Sequence, residues 1–553
     1  MAKNILAILI VLFLAAYSGI SLLHPGLHPT HDGEYHIVRF YEFDKTLRDG
    51  NWYPRWAPDL NNGYGIPLFN YVYPLPNYAA SLLHLFGFSF IDSFKLSLFL
   101  ASIIGSIFFY NWSKLFWGRW GGVASAVLYL FSPYRFVDIF VRGSIGEIWA
   151  LALLPALLWS VTKFIREKSN AYIILSGLFL SLIIFSHNIL ALMFFIFSLF
   201  YIGFLIYQEK NKKYLILNTF YIILLGLGLS AIFWLPALLE KQYVVGLQIY
   251  DIENNFPEIF QLLFPSWGTG FSNGSMSNQM SQQIGVANLL VVFLSILRLF
   301  IGNKKNRNLL IFFLFSFFLV FLLMTKSSLF IWETVPFMDY FQFPWRFLSL
   351  IIVIVPFLGG SLVHFIRPKI LIILICLLSI FLARDYGKVA YYHNRDDNYY
   401  ITRSNFIDST NSPGNFFNTI WFDSGLKKEN EKLKIKEGKI MMSPLFLSSE
   451  KYLYKLDVKE EGKLVFNTAY FPGWSVQIDN KETKITQEKG LISFTVPKGP
   501  HSVKIELAKT PVRNMASALS LLSVILIVLL LIRTKKLYVN QCLEKIADIK
   551  NKQ

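Results

Sequence analysis

AYIILSGLFLSLIIFSHNILALMFFIFSLFYIGFLIY, residues 171 to 207, decides the class of this 553-residue chain. The stretch contains no Asp, Glu, Lys or Arg, and the pair His187-Asn188 divides it into two apolar halves. A helix needs about 20 mostly apolar residues to cross roughly 30 Å of hydrocarbon with its backbone groups bonded inside the segment. The stretch therefore predicts two membrane-spanning helices that meet at His187.

The composition extends this prediction to the whole chain, which is 54% hydrophobic and only 16% charged. These values exclude a soluble enzyme, a disordered scaffold and a disulfide-rich secreted domain. The two cysteines, Cys376 in an apolar run and Cys542 near the end, do not frame a disulfide. We expect about twelve spans, near residues 4–23, 91–111, 120–137, 145–165, 171–186, 188–207, 215–238, 285–301, 308–325, 346–365, 369–384 and 512–532.

The distribution of charge gives the orientation. With the amino terminus in the cytoplasm, the cytoplasmic segments carry 20 Lys and Arg residues and four acids, which accounts for +16 of the total net charge of +17. This is the pattern of the positive-inside rule. We therefore predict a multi-pass protein of the cell membrane with both termini cytoplasmic, and the basic charge does not indicate a nucleic-acid partner.

Which of two segments crosses the membrane is left open by the sequence. Residues 70–86 are apolar and could cross in place of the short run 120–137, although both versions give twelve spans and agree from residue 145 onward. We expect 70–86, which is rich in Pro and Tyr, to form a helix lying at the outer face. The first span is interpreted as an uncleaved anchor.

The chain divides into a helical membrane part (1–384) with an outer loop at 24–90, an outer block (385–511), a last span (512–532) and a basic cytoplasmic tail (533–553). Strand-like alternation in the outer block predicts a small antiparallel β-sandwich. Trp474 in this block is interpreted as a core residue, with a sugar-stacking platform as the alternative. Turn residues separate the predicted strands at Asp479-Asn480, Lys489-Gly490 and Lys498-Gly499.

The first outer loop, 24–90, is the most polar part of the membrane region. Thr30 or Asp32 can cap a helix that runs to about Arg48. An acid at the mouth of a helical bundle can also act as a general base, with nearby cations stabilising an anionic leaving group. Chemistry alone leaves both interpretations of Asp32 open.

The same loop raises the possibility of a metal site. His31, Asp32, Glu34 and His36 lie within six residues of one another. If they converged on a metal, an oxygen-rich site for Mg or Mn would be expected. Spacing within a loop does not make side chains converge, so we predict no metal, with this site for Mg or Mn as the alternative.

Several motifs resemble a known superfamily. An anchor followed by DGEYHIVR (32–39), WYPRWAPD (52–59) and GYGIPLF (63–69) is similar to the GT-C superfamily of polytopic glycosyltransferases. Within that superfamily the chain most resembles the YfhO-type membrane protein family. Further matches, together spanning nearly the whole chain, are RGSIGE (142–147), QFPWRF (342–347) and the YFPGWSVQIDN segment that begins at Tyr470.

The resemblance implies inverting transfer of a sugar from a polyprenyl-phosphate-linked donor at the outer membrane face, without a nucleotide sugar. It implies that an acid of the first loop deprotonates the acceptor hydroxyl, with Asp32 as first candidate and Glu34 as second. Arg39 and Arg55 fall where contacts with the lipid phosphate are expected. The acceptor would be an envelope glycopolymer, a lipid-linked glycan or a protein glycan.

Three further cationic residues, Arg142, His187 and Arg346, lie at predicted outer helix ends, where they can meet a lipid phosphate. Their alternative roles are snorkelling or helix capping. Glu147 lies just inside an apolar run and needs a partner, and Arg142 is the nearest candidate. His36 is a further candidate for the site.

A different function class is a flippase or carrier that moves lipid-linked glycans without making a bond. Such a protein is expected to carry charge inside its spans. Here the apolar runs are nearly free of ionisable groups, and the polar residues gather at one face, which favours a surface reaction.

Overall fold

The architecture is seen in a computed structural model. It describes residues 2–246, 251–272, 278–301, 306–364, 370–402 and 416–550, with no account of the side chains at 2, 3, 364 and 533–550. The predicted basic tail, 533–553, therefore lies outside the described side chains, although the backbone is helical to Lys550.

Most of the described chain is helical, as the long apolar runs predict. The α-helices are α1 Ala2–Ser18, α2 Gly33–Arg48, α3 Leu75–Leu85, α4 Phe90–Leu130, α5 Pro133–Phe136, α6 Ile145–Glu167, α7 Asn170–Ser186, α8 Asn188–Tyr207, α9 Lys212–Leu229, α10 Ala231–Leu239, α11 Ile259–Leu263, α12 Val286–Ile301, α13 Arg307–Leu323, α14 Leu329–Thr334, α15 Leu348–Ser361, α16 Ile370–Ala383, α17 Asp397–Thr402 and α18 Pro511–Lys550.

Six helices among the described residues are long and apolar enough to cross a membrane, or seven if the bent pair at 307–334 counts as one span. Four more apolar helices are shorter, with 10 to 17 residues. The chain is therefore a helical membrane protein, and the predicted total of twelve crossings stays a prediction. The run predicted near 91–111 and most of the run near 120–137 lie in α4, whose two parts are separated by Gly118, where φ is 72° and ψ is −178°. The Ser113 and Ser125 hydroxyls, on either side of this glycine, lie 2.6 Å apart, so the chain turns back at Gly118 and the two parts pack against each other as separate helices.

Helix α3 is the part of residues 70–86 that bears on whether this segment crosses the membrane. It has 11 residues, which at 1.5 Å per residue is about 16 Å and too short to cross roughly 30 Å of hydrocarbon. Leu82, Leu85 and Phe86 at its end are 56%, 69% and 75% exposed. The segment is thus a short helix with an apolar exposed end, as expected of one that lies at a membrane surface.

Nine strands among the described residues form the predicted sandwich. One sheet has the order β1-β4-β8-β7 and the other β2-β3-β9-β5-β6, with antiparallel pairing throughout. Asp479-Asn480 and Lys489-Gly490 take positive φ at the turns after β5 and before β8, as tight hairpins require. The strands are β1 Leu433–Glu437, β2 Ile440–Leu447, β3 Lys451–Val458, β4 Gly462–Ala469, β5 Trp474–Ile478, β6 Lys481–Thr483, β7 Thr486–Glu488, β8 Leu491–Val496 and β9 Gly499–Leu507.

Trp474 belongs to the core of the sandwich. It is 4% exposed and packs edge-on against Trp56 of the first loop, with ring centroids 5.4 Å apart, and against Phe466. The core interpretation is therefore confirmed, because so buried a ring offers no face to a sugar. Trp56 itself is 1% exposed and lies in the same apolar cluster, so the loop contributes to the sandwich core.

Buried polar contacts also join the sandwich to the membrane part. The Glu450 carboxylate accepts from the backbone amides of Arg55 and Trp56, at 3.0 and 3.1 Å. The Glu240 carboxylate, at the end of α10, accepts from Asn70 at 2.9 Å and from Arg513 of α18 at 3.0 Å. Three segments that are distant in sequence, those of Glu240, Glu450 and Arg513, are thus fixed beside the first loop.

A pH-dependent contribution to stability arises in α2 at Glu42, which is fully buried. Its carboxylate accepts from the Asp59 backbone amide at 3.0 Å, while burial and the Asp59 carboxylate raise the pKa of Glu42 to about 8. The unfolded chain releases this proton near pH 4.3. The folded state therefore holds the extra proton between about pH 4.5 and 8, and stability falls as pH rises through this window.

We expect Glu42→Gln to remove this loss. The variant and the native chain should be about equally stable near pH 4.5, and the variant should be more stable by roughly 4–5 kcal/mol at pH 8, since folding raises the pKa from about 4.3 to about 8 and each unit of pKa corresponds to about 1.4 kcal/mol. Thermal unfolding in detergent from pH 4.5 to 8 measures the difference, with exposed Glu460→Gln as the matched control. A difference that does not grow with pH would contradict the assignment.

Candidate functional site

The beginning of α2 is fixed against the turn that precedes α6. The backbone amides of His31 and Asp32 donate to the carbonyls of Val141 and Arg142, both at 2.9 Å. The turn ends at Gly143 with φ 68°, a left-handed conformation that glycine adopts at little cost. The first loop and the RGSIGE motif, over 100 residues apart in sequence, therefore form one site.

Asp32 occupies the N-cap position of α2, but its side chain does not perform the cap. The hydroxyl of Thr30 accepts from the Gly33 amide at 3.0 Å, and among the described residues no backbone amide of the first turn donates to the Asp32 carboxylate. Of the two interpretations of Asp32, the cap role therefore does not apply to its carboxylate. Thr30, the other predicted cap, supplies the side-chain acceptor.

His36 and Arg39 follow Asp32 on the same face of α2, at spacings of four and three residues. Burial and the neighbouring Arg39 charge lower the pKa of His36 well below its usual range, so this imidazole is neutral. Burial also lowers the pKa of the Arg39 guanidinium, against the opposing effect of Tyr73 and the Asp32 carboxylate. Asp32 and Arg39 thus form an acid and a cation within electrostatic reach of each other.

The centre of the site is Glu147, which is fully buried in the first turn of α6. Its two carboxylate oxygens accept from Nη1 and Nη2 of Arg142, both at 2.7 Å. Arg346 adds a third bond from Nε at 3.1 Å. The predicted pairing of Glu147 with Arg142 is confirmed, and Arg346 arrives from the QFPWRF motif almost 200 residues later.

His187 completes the cluster from the turn between α7 and α8. Its Nδ1 accepts from the Leu190 amide at 3.2 Å, so it caps α8, which was the alternative role considered for it. The other ring nitrogen, Nε2, lies 3.8 Å from the Glu147 carboxylate. In the neutral imidazole this nitrogen carries the proton, so capping and a place in the site are compatible.

Three further residues that the sequence did not predict belong to the site. Asp138 receives a 2.6 Å bond from Arg142, and Tyr134 lies 3.4 Å from Glu147. Tyr73 packs against Gly146, where any side chain would collide with its ring. The sequence features that relate to the contact between Tyr73 and Gly146 are the Pro- and Tyr-rich segment and the second glycine of RGSIGE. Neither feature by itself predicts that the two residues touch.

Charge within the site is nearly balanced, with a surplus of cations. Burial and the Glu147 carboxylate raise the pKa of Asp138 well above its usual range, against the effect of Arg142. The guanidiniums of Arg142 and Arg346 face the Glu147 carboxylate, and that of Arg39 lies within electrostatic reach of the Asp32 carboxylate. The arginines can attract an anion, while the Asp32 carboxylate is not part of the Arg142–Glu147 ion pair.

Two predicted site residues lie elsewhere. Glu34 points to the segment before α17, 3.6 Å from Arg395 and 3.9 Å from His393, because it is half a turn from Asp32 on α2. Arg55 is bonded to Asn70 at 2.7 Å in the joint with the sandwich. The structure thus brings together Asp32, His36, Arg39, Arg142, Glu147, His187 and Arg346, and separates Glu34 and Arg55 from them.

The four residues considered for a metal do not converge. His31 bonds the Thr269 carbonyl at 2.7 Å, Glu34 turns away, and His36 is buried on the Arg39 side. Among the described residues no group of three or more His, Cys, Asp or Glu is placed to hold a metal ion. The side chains present do not fit an oxygen-rich Mg or Mn site, and no step is assigned to a metal.

Helical spans, an ionic site where the loops meet, and an adjoining β-sandwich define the class: a multi-pass membrane protein with a polar site at one end of its bundle. The chain belongs to the family described as "6-pyruvoyl-tetrahydropterin synthase related domain; membrane protein", whose model matches residues 69–392. The YfhO-type assignment stays a prediction.

A protein of Lactococcus lactis subsp. cremoris (strain MG1363), described as "Uncharacterized protein", is 25% identical over 260 residues. The match covers 45% of this chain and 41% of that protein, so this chain spans less than half of its relative's length.

Two solved structures resemble 70% of the chain, each with a TM-score of 0.44. They are the mycobacterial arabinofuranosyltransferase AftD, at 14% identity over 26% of its chain, and the Archaeoglobus fulgidus oligosaccharyltransferase, at 12% identity over 54% of its chain.

Proposed function

We propose that this protein transfers a sugar from a polyprenyl-phosphate-linked donor to an extracytoplasmic glycan, lipid-linked glycan or protein acceptor. The observation that supports this most is the junction of the Asp32 loop with the arginine cluster, made by the 2.9 Å bond from the Asp32 amide to the Arg142 carbonyl. It places an acid next to a concentration of guanidiniums at an end of the helical bundle.

Asp32 acts as the general base. Its carboxylate takes the proton of the acceptor hydroxyl as the acceptor oxygen forms a bond to the anomeric carbon of the sugar. The bond from that carbon to the phosphate oxygen breaks, and the electron pair leaves with the polyprenyl phosphate. Attack opposite the leaving group inverts the anomeric configuration. The side chain suits this role because Thr30, not Asp32, supplies the cap of α2.

The guanidiniums stabilise the leaving phosphate. Arg39, Arg142 and Arg346 carry fixed positive charge in a buried setting, where interactions with an anion are stronger than in water. Glu147 holds Arg142 and Arg346 in position through its three bonds. A phosphate is a good leaving group, so the site needs cations and a base but no strong acid.

Reconstituted full-length protein tests the proposal. Liposomes containing a panel of polyprenyl-phosphate sugars are mixed with candidate acceptors, and we expect release of polyprenyl phosphate together with a glycosylated product of inverted configuration, read by NMR. A parallel arm supplies nucleotide sugars, which should not react. A fluorescent lipid-linked sugar that changes leaflet without forming product would overturn sugar transfer in favour of the flippase.

A further inference from the structure

A cleft lies between the middle part of the first loop and the sandwich, apart from the ionic site. It has a volume of about 380 Å³ and is lined by the segment 45–64 on one side and by strands β2 to β4 with residues 428–432 on the other. This volume falls at the lower end of the range typical of small-ligand sites. The proposed sugar transfer assigns no role to this cleft.

The lining is polar and close to electrically neutral. Four carboxylates and three lysines face the cleft together with amide and hydroxyl side chains. Several charges are already compensated: Lys45 pairs with Asp59 at 2.5 Å, and Asp49 accepts from the Ser449 amide at 2.7 Å. A strongly charged ligand would therefore find no complementary excess of charge.

The remaining chemistry suits a polyhydroxyl ligand. Carboxylates accept from hydroxyl groups, whereas lysines and amide nitrogens donate to hydroxyl and ring oxygens. Asn62 and Asn430 line the cleft, and each side-chain amide has both a donor and an acceptor. Asn467, which also lines it, donates to the Glu431 carbonyl at 2.6 Å. Lys432, which also lines the cleft, donates to the Gly63 carbonyl at 2.7 Å and joins its two walls.

The cleft is too distant from the ionic site to be part of it. Asp32 precedes α2 and Asp49 follows it, and at 1.5 Å per residue they are about 25 Å apart. A single sugar cannot contact both, although an extended glycan chain could reach from one to the other. The cleft is therefore a site separate from the ionic site, although the first loop contributes residues to both.

We propose that this cleft binds a segment of a neutral oligosaccharide. The binding does not depend on sugar transfer at Asp32, because the cleft is formed by different residues. In the context of that reaction it would hold a glycan acceptor at a point remote from the reacting hydroxyl.

Calorimetric titration of full-length protein in detergent, without a lipid donor, tests this inference. The probes are neutral hexasaccharides of glucose, mannose, galactose and N-acetylglucosamine, with hexagalacturonate and inorganic phosphate as anionic comparisons. We expect saturable binding of at least one neutral probe and at least a tenfold loss of affinity in Asn430→Trp, which fills the mouth of the cleft from an exposed position.

Glu460→Trp places the same ring on an exposed turn of the sandwich outside the cleft and should bind as the native chain does. Asp32→Asn should also bind normally, which separates this inference from the proposed reaction. Failure of every neutral probe, tighter binding of an anionic probe, or equal affinity in Asn430→Trp would each overturn the inference.

Discussion

Asp32→Asn is expected to lower the rate of sugar transfer by about 10²- to 10⁴-fold, the usual contribution of a general base. The amide cannot take the acceptor proton, but it has the same shape and leaves the Thr30 cap of α2 in place. Donor binding should change little, because the guanidiniums that meet the phosphate are retained. Initial rates with saturating donor, compared with donor affinity in the same variant, measure the effect.

Glu34→Gln is the matched control. It makes the same acid-to-amide change two residues along α2, where the side chain faces Arg395. Its rate should stay within a few-fold of the native rate. A native rate for Asp32→Asn, or a loss larger in Glu34→Gln, would move the base from Asp32 to Glu34.

The helical class and the sandwich could be predicted because each depends on a local pattern. Long apolar runs are required wherever a helix is surrounded by hydrocarbon, and alternation of apolar and polar residues, as in KYLYKLDV (451–458), which forms β3, is typical of a strand. The runs 91–111 and 120–137 were predicted as two segments, and the chain does turn back between them at Gly118, which brings the Ser113 and Ser125 hydroxyls to 2.6 Å. Hydropathy alone did not identify the glycine at which the chain turns.

The site was predicted in part. The spacing of Asp32, His36 and Arg39 places them on one face of a helix, and this spacing could have separated Asp32 from Glu34. Arg55 could not be assigned in this way, because its partners Asn70 and Ile232 are determined by how the loop meets α10. Contacts made by tertiary packing leave no periodic signal in the sequence.

Glu147→Gln is expected to cost about 3–5 kcal/mol of stability and to reduce transfer strongly. The native carboxylate is fully buried and compensates two guanidiniums. Removing one partner of a buried ion pair leaves uncompensated charge, which is the costly case. The glutamine amide would also direct N–H groups at a guanidinium. Thermal unfolding in detergent and initial transfer rates measure the two effects.

A second substitution distinguishes loss of charge balance from loss of packing. In Glu147→Gln with Arg346→Gln, one buried cation is removed together with the acid, so part of the stability should return while transfer stays low. Residues in one ionic network are expected to be non-additive by about 0.5–3 kcal/mol. Glu34→Gln breaks a partly exposed pair and should cost at most about 1 kcal/mol. If the double variant were less stable by the sum of both single effects, Glu147 would not be acting as the shared counter-charge of Arg142 and Arg346.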